Sequence, residues 1–98
     1  MVLLHGYELD RTMWAPQLAA LEGWTVLNLD IRGHGDSRPC ADFSIPQAAE
    51  DLRAVLVKER CRAPVLVGLS MGGYVVQEYA WQFGGCAGYL VAGATPIL

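Results

Sequence analysis

Residues 64–73 read Pro64-Val65-Leu66-Val67-Gly68-Leu69-Ser70-Met71-Gly72-Gly73, and a helical pattern follows over 71–83. An apolar run, a serine bracketed by glycines and then a helix is the strand–turn–helix setting that gives G-x-S-x-G chemical meaning. The chain must reverse from strand to helix within a residue or two. The central serine is forced into an unfavourable backbone conformation, and the glycines at 68, 72 and 73 remove side chains that would clash there. Its hydroxyl then stands at the carboxyl end of the sheet. The N-terminus of the helix behind it offers unpaired N–H groups, and that of Met71 is placed to bind a developing oxyanion. Ser70 is therefore the candidate nucleophile. It has no obvious base, because no histidine follows it and the only later acid is Glu78.

Working outward, four apolar runs alternate with three helical patterns. Val2–Leu4, Thr25–Asp30, Pro64–Leu69 and Tyr89–Ala94 read as strands. The first helix is expected over about 12–22, with Trp14, Leu18 and Leu21 on one face. The second spans about 45–60. Ser44-Ile45-Pro46-Gln47 is an S-x-x-Q capping box, and Ala48, Ala49, Leu52, Val55 and Leu56 form the apolar stripe. The third covers about 71–83, stopped by Gly84-Gly85. This alternation predicts an α/β fold, a parallel four-stranded sheet with helices on both faces.

Two further stretches sit after strands. His5-Gly6-Tyr7 follows the first; Gly6 permits a sharp turn, so that the N–H of Tyr7 becomes a second oxyanion donor. His5 is expected to be structural, bonding within its own loop. Asp30-Ile31-Arg32-Gly33-His34-Gly35-Asp36-Ser37 follows the second. Gly33 and Gly35 permit a tight reversal, Asp30 and Arg32 are expected to pair, and His34 is expected in solvent. Glu50 and Asp51 read as a solvated helix face.

Composition narrows the partners. The chain has 98 residues, 53% apolar and 17% charged, with a net charge of −3. That suits one small domain with buried strands and offers no basic patch for nucleic acid. Cys40, Cys61 and Cys86 match no metal-binding spacing and read as free thiols, so no metal and no cofactor is expected. No apolar run approaches a membrane span and the start does not read as a signal peptide, so no membrane partner and a cytoplasmic setting are expected.

The three motifs together, H-G after a strand, D-x-R-G-x-G-x-S and G-x-S-x-G-G, resemble the α/β-hydrolase superfamily. The wording Gly-Leu-Ser-Met-Gly-Gly is similar to its esterase, enol-lactonase and cofactor-free perhydrolase branch. The resemblance implies that the strands correspond to the family's strands 3 to 6, in spatial order 4-3-5-6. It also implies Ser70 as nucleophile, the Tyr7 and Met71 N–H groups as oxyanion hole, and Tyr7, Glu8, Leu69 and Met71 around the serine's end of the site. The family runs Ser, then Asp or Glu, then His. On that pattern residues 1–98 are expected to be a single partial core domain, truncated at both ends and inactive alone. The whole protein would be a serine hydrolase of small-molecule carboxylic esters, lactones or thioesters. The alternatives are a perhydrolase on the same scaffold or a non-catalytic binding module. An isolated partial sheet is expected to self-associate through its exposed edges.

Overall fold

The structure is a computed structural model that describes residues 1–37 and 42–95. Strands β1 (Val2–Leu4), β2 (Leu27–Leu29), β3 (Val65–Leu69) and β4 (Gly88–Ala92) form one sheet in the order β2-β1-β3-β4, with every pair parallel. This is the spatial order that the resemblance implied. Helix α1 is short (Ala15–Leu18), whereas α2 (Ile45–Lys58) and α3 (Met71–Gln82) are long.

One face of the sheet carries the core. Val2, Leu4 and Leu66 meet Ala49, Leu52 and Leu56 of α2 and Val75, Val76 and Tyr79 of α3. All nine are at most 2% exposed. Burying a large aliphatic side chain contributes about 1.5–3 kcal/mol, so this cluster is the main source of cohesion. The expected stripe of α2 is the buried one, with Val55 half covered. The cap of α2 also forms as read: the Gln47 N–H donates to Ser44 Oγ at 3.1 Å. The Gln47 side chain does not complete the reciprocal half of the box; it donates to Asp42 instead. Helix α2 stops at Lys58, ahead of the expected 60, where Arg60 takes a positive φ of 53°. Helix α3 stops as read, before Gly84 and Gly85 at φ of 62° and 74°.

The opposite face is covered unevenly. Asn28, Leu3, Val67 and Leu90 lie side by side in register across the strands. Asn28 Nδ2 donates to the Arg11 carbonyl at 3.0 Å, which sets residues 11–14 over β2 and β1. Leu3 is buried there, but Leu90 on β4 is 54% exposed. The edge strands are β2 and β4.

The expected helix over 12–22 is broken into a 3-10 turn (Arg11–Trp14), α1 and a second 3-10 turn (Ala19–Leu21). Pro16 supplies the reason. It has no N–H to give the Thr12 carbonyl, which is taken instead by the Ala15 N–H, three residues on. Strand β2 is shorter than the expected 25–30, and β4 spans Gly88–Ala92 rather than Tyr89–Ala94. Cys61 and Cys86 are free and half-buried, while Cys40 lies outside the described residues. Among the described residues no helix is long and apolar enough to cross a membrane.

Candidate active site

Ser70 joins β3 to α3 with φ 51° and ψ −112°. A non-glycine residue so placed costs on the order of 1–3 kcal/mol and persists only where its surroundings enforce it. Here the enforcement is steric. A Cβ on Gly68 would overlap the Gly72 carbonyl, and a Cβ on Gly72 would overlap the Leu4 and His5 carbonyls. The helix start is thus pressed onto the ends of β1 and β3 with no room for a side chain. Hydrogen bonds complete the frame. The Ser70 N–H donates to the Ala92 carbonyl at 2.7 Å, and the Gly73 and Tyr74 N–H groups donate to the Ser70 carbonyl at 2.9 and 3.2 Å. The Ser70 side chain is exposed and makes no capping bond to its own helix.

Across from it lies the loop after β1. A Cβ on Gly6 would stand 3.7 Å from the Ser70 Cβ, an ordinary contact, so closeness rather than a forbidden φ characterises this glycine. His5 is fully buried and both its ring nitrogens are engaged. Nδ1 pairs with the Gly6 carbonyl at 2.8 Å, and Nε2 accepts the Ile31 N–H at 2.9 Å. That assigns a neutral ring with the proton on Nδ1. Burial is the main reason the His5 pKa lies below its ordinary 6.5. The Gly6 carbonyl also accepts the Leu9 N–H at 3.2 Å. In a trans peptide the carbonyl and the next N–H point to opposite sides, so the Tyr7 N–H is turned away from these partners.

The loop after β2 holds together differently from the reading. Asp30 does not pair with Arg32. Its carboxylate accepts the Arg11 N–H at 2.8 Å, the Asp36 N–H at 2.9 Å and the Arg11 guanidinium. Burial pushes the Asp30 carboxyl up, but these donors together hold its pKa below the ordinary 3.8. Arg32 instead clamps Asp51 of α2 at 2.7 and 2.9 Å and reaches Asp42 at 3.2 Å. Asp51 is therefore a ligand for Arg32 as well as a surface charge. His34 is not solvated: it is 8% exposed, its ring 5.0 Å from His5 and 5.7 Å from Tyr7. Gly33 and Gly35 do turn the chain, at φ of 80° and 50°.

The fold thus brings Ser70, Gly6, Leu69 and Met71 to one end of the sheet. Tyr7 and Glu8 are exposed beside them, Glu8 at a positive φ of 61°. Met71 differs from the reading as a pocket wall. Its side chain joins the core and is 8% exposed, so its backbone N–H is what it can offer a ligand. Leu9, Asp10 and Phe43, which the motifs did not mark, and His34, which was expected in solvent, join Tyr7 and Glu8 around a cleft of about 460 Å³. A larger hollow of about 630 Å³ opens along β2 and α2 without Tyr7, and Ser70 is not among the residues that line either one. Among the described residues no group of three His, Cys, Asp or Glu side chains could hold a metal ion.

Comparison with known proteins meets this geometry from another side. Residues 1–98 match the Alpha/beta hydrolase family. The 2-succinyl-6-hydroxy-2,4-cyclohexadiene-1-carboxylate synthase of Pectobacterium atrosepticum is 31% identical over 100 residues, covering 100% of this chain and 40% of the synthase. A thermophilic esterase from Thermogutta terrifontis superposes with a TM-score of 0.89 at 34% identity, over 96% of this chain and 36% of the esterase. The N-acyl homoserine lactonase AidH, solved with N-butanoyl homoserine, gives 0.89 at 26% identity, over 98% of this chain and 37% of the lactonase. The chain spans 40% or less of the length of each of these three relatives.

Proposed function

Since the chain belongs to the alpha/beta hydrolase family, we propose that the full-length protein is a serine hydrolase of small-molecule carboxylic esters, lactones or thioesters, with Ser70 as its nucleophile. The observation that carries this reading is Ser70 itself, exposed at φ 51° on a turn whose glycines leave no space for a side chain. Oγ attacks the substrate carbonyl and the carbonyl electrons move onto its oxygen. The Met71 N–H, in the unsatisfied first turn of α3, and the Tyr7 N–H, turned away from the engaged Gly6 carbonyl, bind that oxyanion. Collapse of the intermediate expels the alcohol or thiol with a proton and leaves an ester on Ser70; water then cleaves that ester.

The base that takes the Ser70 proton is not His5, whose two nitrogens are both engaged. It belongs to the part of the relatives' length that these 98 residues do not span. The 98-residue chain alone is accordingly inactive. The esterase and lactonase among its structural neighbours support the ester and lactone classes.

The test is fluorophosphonate labelling and p-nitrophenyl acetate hydrolysis by the full-length protein. Ser70→Ala should abolish labelling and lower turnover by about 10⁴-fold or more. Retained activity in Ser70→Ala, or Ser70-dependent turnover by the 98-residue chain, would overturn the reading.

A further inference from the structure

The end of β4 is fastened to the nucleophile turn from two sides. On one, the Ser70 N–H donates to the Ala92 carbonyl at 2.7 Å, and a Cβ on Gly93 would lie 3.7 Å from the Ser70 nitrogen. Gly73 sits against Val91 and Ala94. On the other, three hydrogen bonds converge on a single residue. Tyr74 Oη pairs with Thr95 Oγ1 at 3.0 Å, the Thr95 N–H donates to Tyr74 Oη at 3.3 Å, and Gln77 Nε2 donates to the Thr95 carbonyl at 3.0 Å. Tyr74 and Gln77 lie nearly one turn apart on α3, and the Tyr74 N–H donates to the Ser70 carbonyl. The Thr95 bonds also hold the Tyr74 phenol below its ordinary pKa of 10.0.

From this convergence we infer that Tyr74 is a positioning residue for Ser70, acting as a latch through Thr95 and the Ala92–Thr95 segment. The inference rests on reading Ser70 as the nucleophile. A serine at positive φ relaxes if the groups around its N–H can shift. The acceptor of that N–H is the Ala92 carbonyl, and the segment after it is held in place by the Tyr74 hydroxyl and the Gln77 amide. Release of the hydroxyl loosens the acceptor, so the alignment of Oγ suffers before anything else does. Neither Tyr74 nor Thr95 touches the reacting atoms in this scheme. Their effect therefore falls on the chemical step and leaves substrate binding alone.

The experiment uses the full-length protein, with Tyr74→Phe, Thr95→Val and Thr95→Ser compared with wild type. Tyr74→Phe removes both hydroxyl bonds and keeps the ring. It should slow fluorophosphonate labelling and lower kcat on p-nitrophenyl acetate about three- to tenfold, the scale of one or two lost hydrogen bonds, with KM within about twofold. Thr95→Val should follow it part of the way, and Thr95→Ser, which keeps the hydroxyl, should restore wild-type rates. Wild-type labelling and kcat in Tyr74→Phe would overturn the inference, as would failure of Thr95→Ser to outperform Thr95→Val. Amide hydrogen exchange gives a readout independent of turnover, since the Ser70 and Thr95 amides should exchange faster in Tyr74→Phe. If the wild-type protein neither labels nor hydrolyses esters, the proposed function fails. Exchange then decides the latch alone: unchanged rates at those two amides overturn it.

Discussion

Two of the glycine-bearing turns at the carboxyl end of this sheet are held by opposite means. The turn after β3 is held by crowding: Gly68 and Gly72 exist because backbone fills the space their side chains would need. The turn after β2 is held by charge. A Cβ on Gly35 would strike the Asp30 carboxylate, and that carboxylate gathers two backbone N–H groups and a guanidinium. Contact between neutral backbone atoms is insensitive to pH and salt. A carboxylate beside a guanidinium is not. The residue that must keep an uncommon φ under all conditions stands in the first kind of turn, and the supporting loop is of the second kind.

The largest effect is expected from breaking the crowded turn. Gly72→Ala in the full-length protein should cost about 3 kcal/mol or more in urea melts, because Leu4 and His5 can only yield by moving β1. A loss under about 1 kcal/mol would mean that the turn is softer than it looks. Next comes the charged loop. Asp30→Ala strands the Arg11 and Asp36 N–H groups and should cost about 2 kcal/mol. Unlike the Gly72→Ala cost, this one should fade with acidity. Asp30 titrates below its ordinary 3.8 in the fold, so its contribution is complete above pH 3.8 and disappears as pH falls from there through the lowered value.

His5 sharpens the contrast at milder pH. Its folded pKa is also depressed, so the unfolded chain takes up the proton first. Stability is complete above pH 6.5 and declines as pH falls from 6.5 toward the lowered value. Thermal melts of His5→Asn should lose that slope, whereas Gly72→Ala should keep it. The smallest effect belongs to the exposed outer pair of Arg11 and Asp36. Asp36→Asn should leave Tm within about 1 °C at moderate salt, the usual result for a solvated ion pair.

Much of this was legible in the residues because it is local. The serine turn, the cap at Ser44 and the stop at Gly84-Gly85 each depend on neighbours within a few positions, and each formed where the spacing put it. The strand order needed the resemblance, since nothing in the spacing of four apolar runs says which lies beside which. The partner of Asp30 was not legible. Arg32 is nearer in sequence, but Arg11 is brought across by the segment that Pro16 breaks into short turns. His34 looked solvated because its neighbours in sequence are polar and small. Its neighbours in space are His5, Tyr7 and Phe43, and no spacing rule reaches from 34 to 5.

The position of β1 has a consequence for how the chain acquires its shape during synthesis. It precedes the other three described strands in the sequence but lies inside the sheet, with Val2 beside Leu27 on one side and Leu66 on the other. After Leu29 emerges from a ribosome, β1 has one partner and an open flank until Leu69 has followed. At about 5–20 residues per second that interval lasts about 2–8 s. For that time a short, wholly apolar segment waits beside the exit tunnel with half of its backbone hydrogen bonds unmade. During that interval its open flank is a strand edge of the kind a chaperone covers.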